Sequence, residues 1–329
     1  MAKKFIIITS INYPTEAVKK FSEIEGWQVI VVADLKTPTD WHLDNVKLLT
    51  VDEQNSLPFE TIKLLPWNHY ARKNIGYLYA IMQGADLLYE TDDDNIPYES
   101  WPEFYPVDVN AETYKTEAKF INVYSHFCNT NIWPRGFPLT AIHNKATENQ
   151  IITKSVSVPV QQGLADLDPD VDAIYRLTLG NEVKFSRRSP LFLAPGTYCP
   201  FNSQNTLWYP EAFQYMFLPA FVLSRVTDIW RGYIAQHFLQ QKGQSILFCN
   251  SSVYQERNYH NLMHDFIEEI ELYTKTEDLI TILEKYTSNS GNFAGVIKHL
   301  LLHQLVKESD VALFEAWLHD LNSLGVNLT

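Results

Sequence analysis

The chain has 329 residues, 46% hydrophobic and 20% charged, which is enough for one large α/β domain with an appendage. Its formal net charge of −13 argues against a general nucleic-acid or anionic-membrane binder. Three widely spaced cysteines, Cys128, Cys199 and Cys249, match neither a disulfide framework nor a metal-ligand spacing. They are expected as buried free thiols of a cytoplasmic chain, and neither a signal peptide nor a membrane-spanning run is read from the sequence.

In chain order, Phe5–Thr9 is a continuous apolar run, typical of a strand covered on both faces. A loop over Ser10–Thr15, a helix over residues 16–25, and buried strands over Gln28–Ala33 and Val46–Val51 are predicted next. Strands alternating with helices indicate a parallel sheet, whose ligands gather beyond the carboxyl ends of the strands. Thr9, Ser10 and Asp34 lie at such ends and are candidate nucleoside contacts. Caps or turn residues are the plainer reading of each.

Ala71, Ile75, Leu78 and Met82 recur at helical spacing, with Gly84 as a stop. Arg72, Lys73 and Asn74 fall at the start of that helix, where basic groups and free amides suit a phosphate. The apolar run Ala85–Thr91 then ends in Asp92-Asp93-Asp94-Asn95. Carboxylates crowded at a sheet edge repel each other unless a cation compensates them, and Mn2+ or Mg2+ takes such hard oxygen ligands. Alternation along an extended chain sends Asp92 and Asp94 to one side and Asp93 to the other. Asp92 and Asp94 are therefore candidate metal ligands, and Asp92 with Asp93 candidate donor contacts. A solvated acidic turn is the alternative.

Residues 96–160 read as irregular. Trp101, Tyr105, Trp133 and Phe137 there are candidates to stack on an acceptor sugar, with packing the favoured reading, and Arg135 suits a phosphate or an ion pair. Gln161–Leu167 reads as a short helix and Val171–Leu177 as a strand. The acids Asp166, Asp168, Asp170 and Asp172 are spaced like a calcium loop but lack its glycine and distal Glu. Asp170 and Asp172 remain weak sugar-facing candidates. The Ala194–Asn205 loop is dense in uncharged hydrogen-bonding groups that suit sugar hydroxyls. Thr227 or Asp228 is expected to cap a helix running to Gln236, and Ser245–Cys249 to form the last strand. Residues 1–264 form the expected catalytic domain, and 265–329 a helical extension that packs on it or mediates homo-oligomerisation.

The segments ARKNIGYLYAI (Ala71–Ile81) and ADLLYETDDDN (Ala85–Asn95) resemble the phosphate-side helix and DxD strand of GT-A glycosyltransferases. With ITSINYPTEAVKKF (Ile8–Phe21), NIWPRGFPL (Asn131–Leu139), APGTYCPFNSQNTL (Ala194–Leu207), RVTDIWRGYIAQ (Arg225–Gln236) and QERNYHNL (Gln255–Leu262), the chain resembles the STELLO family of glycosyltransferases. That resemblance implies a GT-A-like, Rossmann-like fold with a mixed, mostly parallel sheet flanked by helices. It implies metal-dependent transfer of a sugar from a nucleotide-diphosphate sugar to a glycan or other hydroxyl acceptor. Asp228 would be the general base of an inverting reaction, and His260, or failing it His264, a third ligand for the Mn2+ or Mg2+. A sugar-nucleotide mutase, a nucleotidyltransferase and a non-catalytic scaffold for a polysaccharide-synthesis partner are the rivals. The first-strand loop SINYPT has no glycine for a phosphate loop, which disfavours the nucleotidyltransferase.

Overall fold

The computed structural model describes residues 2–144, 151–256 and 261–328. Its strands are β1 (Lys4–Thr9), β2 (Gln28–Val32), β3 (Val46–Leu49), β4 (Leu87–Thr91), β5 (Asn95–Pro97), β6 (Asp108–Tyr114), β7 (Ile151–Leu167), β8 (Leu191–Phe192), β9 (Asn205–Trp208) and β10 (Gln244–Gln255). They form one sheet in the order β3-β2-β1-β4-β9-β7-β6-β8-β10-β5, with β7 also pairing with β10. Strands β3, β2, β1 and β4 run parallel. The short antiparallel β9 joins β4 to β7, which runs parallel to β10.

The helices are α1 (Glu16–Ser22), α2 (Val51–Ser56), α3 (Glu60–Leu64), α4 (Lys73–Met82), α5 (Tyr124–Phe127), α6 (Ala173–Thr178), α7 (Thr227–Gln241), α8 (Leu262–Glu268), α9 (Ile270–Ser288), α10 (Val296–Leu302) and α11 (Glu308–Ser323). Alternation along β1 divides the core in two. Phe5 and Ile7 pack with Ile75 and Leu78 of α4 on one face, while Ile6 and Ile8 pack with Val18 and Phe21 of α1 on the other. Helix α4 lies against the sheet because Gly76 has no side chain. A Cβ there would come within 2.5 Å of Ile7 and 2.7 Å of Val32. The helix stops at Gly84, whose φ of 80° favours glycine.

Three sequence expectations are corrected: residues 96–160, read as irregular, hold β6, α5 and the first part of β7. Gln161–Leu167 is not a helix but the second half of β7, held between β9 and β10. Such a strand is covered on both faces, so its sequence carries no alternation to reveal it. Val171–Leu177 is not a strand: Asp172 caps α6 by accepting the Tyr175 amide at 2.7 Å. An Asp before an apolar-rich segment is a helix-start signal, and it outweighs the β-branched residues beside it.

The C-terminal helices share the larger core. Phe314, Trp317 and Leu321 of α11 are buried in it together with α4. Asp320 accepts the Glu60 and Thr61 amides at 3.0 and 2.8 Å, capping α3 from 260 residues away. Asp310 accepts the Ala220 and Phe221 amides at 2.9 and 3.0 Å. Among the described residues no helix is long and apolar enough to cross a membrane.

Candidate functional site

The acidic turn after β4 is fixed by a different partner at each residue. Asp93 turns toward the loop after β1, where Ser10 Oγ and Asn12 Nδ2 donate to its Oδ2 at 2.5 and 3.0 Å. Thr15, which caps α1, donates to the Asp93 carbonyl. Asp92 accepts the Lys73 ammonium at 2.7 Å, and that buried ammonium also donates to the Thr91 carbonyl at 2.8 Å. Asp94 accepts Gln255 Nε2 of β10 at 2.7 Å. Burial, helped by the charges of Asp92 and Asp93, pushes the Asp94 carboxyl up to about 7. Burial also raises Asp92, against the pull of Lys73.

The opposite wall is the first turn of α7. Asp228 does not cap this helix, as the sequence suggested: the cap position is Val226, which has no side-chain oxygen to offer. Arg135 Nη2 meets both Asp228 oxygens at 3.2 Å, and Ser203 donates to Oδ2 through its amide and hydroxyl at 3.3 Å. The same guanidinium pairs with Asp170 at 2.7 and 2.9 Å and donates to the Arg225 carbonyl. Arg135 therefore makes the ion pair anticipated for it, and it is held between two carboxylates. Behind it, Arg225 Nε donates to the buried Glu269 at 2.5 Å.

These groups enclose a basin of about 410 Å³ that Asp92, Asp94, Asp170, Asp228, Gln204 and Gln255 line. Thr9, Tyr70 and Asp93 line both this basin and a neighbouring cleft of about 260 Å³. The two spaces open at the carboxyl ends of β1, β2 and β4, where parallel sheets collect ligands.

Most sequence candidates converge here. Thr9, Ser10, Asp34 and Arg72 line the cleft, and Lys73 lies beneath Asp92. Asp34 is also a backbone staple, accepting the Asn68 and His69 amides at 2.7 and 3.1 Å. Arg72 is 1% exposed, doubly bonded to Gln54 Oε1 at 3.0 and 2.6 Å, and its guanidinium lies 3.4 Å from the Trp67 ring. Burial lowers it to about 10.

Asn74 is not brought to the cleft, because its amide exchanges 2.9 Å hydrogen bonds with the Leu218 backbone inside the fold. Asp172 is likewise occupied, accepting Trp133 Nε1 at 2.6 Å. Trp101, Trp133 and Phe137 are buried packing residues, and Tyr105 is partly buried in a satellite of the core. His260 lies outside the described residues, and His264 is exposed on α8. Sequence reasoning missed Tyr70, Arg225 and Gln255. Tyr70 immediately precedes the Ala71-Arg72-Lys73 run, and Gln255 ends the last strand, so position at a strand or helix end was the available signal.

The description "STELLO glycosyltransferases" belongs to the family model that matches residues 225–329, from Arg225 through α7 to the last helices. Two Arabidopsis thaliana proteins, named "Probable glycosyltransferase STELLO1" and "Probable glycosyltransferase STELLO2", are 28% and 29% identical over 347 aligned residues. Each alignment covers 98% of this chain and 45% of the relative, so the chain spans about half the length of the curated relatives it matches. Along nearly its whole length the chain is similar to these two proteins, and residues 225–329 also match the STELLO glycosyltransferase family model.

Proposed function

We propose that this chain is a GT-A-like, metal-dependent glycosyltransferase that moves a sugar from a nucleotide-diphosphate sugar to a glycan or other hydroxyl acceptor. The observation that carries the reading is the single basin onto which Asp92, Asp94 and Asp228 all open, continuous with a cleft at the strand ends. In this reading the nucleoside occupies the cleft beside Thr9, Ser10 and Asp34, and the acceptor enters from the side of Asp170 and Gln204.

The donor set suits a divalent cation. Among the described residues no group of three or more His, Cys, Asp or Glu forms a complete cage. Mg2+ and Mn2+ sites with one or two carboxylates, completed by substrate phosphates and water, need no such cage. Asp92 and Asp94 would hold the ion; burial, then the charges of Asp92 and Asp93, raise the Asp94 carboxyl, and a cation there would oppose both effects. When bound, the cation supplies electrostatic stabilisation of the leaving diphosphate.

The chain's own groups do the rest. Lys73 fixes Asp92, and Asp93 ties the turn to the β1 loop. Asp228, oriented by Arg135 and Ser203, takes the acceptor proton on a carboxylate oxygen, which gives inversion at the sugar carbon. The contact of Arg135 Nη2 with both Asp228 oxygens also favours a second reading, in which Asp228 only orients an acceptor and the chain binds without transferring.

Thermal unfolding with nucleoside diphosphates and their sugars, with and without Mn2+, tests the donor reading. A ligand at a hundred times its dissociation constant stabilises by roughly 2.7 kcal/mol. One nucleotide should stabilise the wild type only with metal. If none shifts the wild type under any metal, the transferase reading fails.

A further inference from the structure

A second cavity, of about 640 Å³, shares no lining residue with the basin. That size is within the range of small-molecule sites, about 300–1,000 Å³. One strand pair serves both spaces. In the antiparallel pairing of β5 and β10, Gln255 lies opposite Asn95 and Tyr254 opposite Ile96. Alternation turns adjacent side chains to opposite faces. Gln255 thus lines the basin, whereas its neighbour Tyr254, packed against Tyr98, lines the second cavity.

The lining chemistry is amphipathic, and the exposed Glu99 adds a carboxylate at its rim. The Tyr98 and Tyr254 rings lie 5.1 Å apart at 35°, and the partly buried Phe185 adds a further apolar face. Below them, buried Asp166 accepts Ser251 Oγ at 2.7 Å, the Phe185 amide at 3.0 Å and Tyr98 Oη at 3.0 Å. A carboxylate has about four acceptor positions, so one remains for a ligand hydroxyl. Asn250 commits its Oδ1 to the Arg188 amide at 2.8 Å, which keeps its amide hydrogens for the cavity. The rim cations already have carboxylate partners: Lys20 pairs with Glu16 at 3.0 Å, and Arg187 pairs with Glu103. A phosphate or uronate would compete with those partners and meet the like charges of Asp166 and Glu99. A neutral pyranose would not, and it offers an apolar C–H face to the rings and hydroxyls to the floor.

We propose that this cavity binds a neutral oligosaccharide, with Tyr98 and Tyr254 as its stacking wall, at a subsite separate from the basin. The inference rests on this cavity and does not require the donor reading. A glycan held there would bear on the strands that carry Asp94 and Gln255.

The probes are maltotetraose, cellotetraose, xylotetraose and mannotetraose, titrated into the whole chain by calorimetry and saturation-transfer NMR without nucleotide or metal. At least one should bind. Tyr254→Ala should weaken it about ten-fold or more, and Tyr254→Phe, which keeps the ring, should restore it. Asn250→Ala should also weaken binding, and it decides the matter where unfolding curves show that Tyr254→Ala has lost its fold. No binding by any of the four overturns the proposal, as does equal affinity in wild type, Tyr254→Ala and Asn250→Ala. Binding abolished by Asp228→Ala but not by the cavity variants belongs to the basin and also overturns it. Tetraose binding through the cavity in a chain that no nucleoside diphosphate stabilises keeps this proposal and sinks the donor reading.

Discussion

Two acidic neighbourhoods lie within five residues of one another at the end of β4, and they are built in opposite ways. Glu90 is wholly buried and is satisfied by the protein itself. Its carboxylate meets Arg231 of α7 at 2.8 Å, Trp208 Nε1 at 2.8 Å, and the Tyr77 hydroxyl. Two residues on, Asp92–Asp94 join Asp170 and Asp228 around an open basin. Lys73, Arg135 and Arg225 lie against these five carboxylates. In the first neighbourhood the fold supplies the counter-charge. In the second, on the proposed reading, a bound cation would supply part of it. A run of acids in a sequence does not distinguish these cases; the source of the compensating charge does.

Breaking the first neighbourhood should have the largest effect on stability. Glu90→Ala strands Arg231 in the core without its partner, and removing one member of a buried pair costs about 3–5 kcal/mol. Urea unfolding of the wild type and variant reads this directly. A loss under 1 kcal/mol would mean that Arg231 is solvated through a path absent here. Asp94→Ala should behave in the opposite way. The unliganded chain should keep its stability, because the substitution removes a repelled carboxylate. The metal-dependent gain with a nucleotide, roughly 2.7 kcal/mol at saturating ligand, should vanish. If Asp94→Ala unfolds as readily as Glu90→Ala, the basin acids are structural and the contrast collapses.

Legibility in the sequence follows the same physics. The parallel half of the sheet was readable because β1, β2 and β4 are short apolar runs separated by a helix with clear spacing and a glycine stop. Asp92–Asp94 stand out because three adjacent carboxylates exceed what a cap or turn needs, and Asp228 and the polar loop before Asn205 stand out through the family resemblance and the density of hydrogen-bonding groups. The second half was obscured by long-range pairing. Gln161–Leu167 of β7 reads as a helix because its Gln161 and Gln162 are satisfied by Tyr105 and Asn205, contacts that no local pattern encodes. Glu90 and Arg231 are 141 residues apart, so neither signals the other. Asn74 looked like a phosphate ligand by position, but its amide matches a backbone segment 144 residues away.

A buried group with neutral partners sharpens the comparison from a third side. His237 of α7 contacts the Tyr198 hydroxyl at 2.9 Å and Thr287 of α9 at 3.0 Å, and burial lowers it to about 4. Its folded pKa lies below the unfolded value of about 6.5. The stability tied to its neutral form is therefore present above pH 6.5 and is lost as pH falls toward 4. At about 1.4 kcal/mol per pKa unit, the loss over that window is about 2 kcal/mol after allowance for relaxation. His237→Gln should flatten this part of the stability–pH curve. An unchanged slope would assign the acid sensitivity elsewhere.

The smallest expected effect tests whether the last helices are part of the same cooperative unit as the site. Asp320 caps α3 across the chain, and Phe59, which sits at the cap position itself, has no side-chain acceptor. Asp320→Ala orphans two amides at a helix start, a loss of about 1–2 kcal/mol. What matters is how that loss appears. Helix α11 packs on α3 within the core that also holds α4, and α4 begins with the lysine that fixes Asp92. The variant should therefore unfold in one transition at lower denaturant with an unchanged slope, by far-ultraviolet circular dichroism and tryptophan fluorescence alike. Two separated transitions, with only the first shifted, would show that the C-terminal helices unfold as a unit of their own and leave the basin standing.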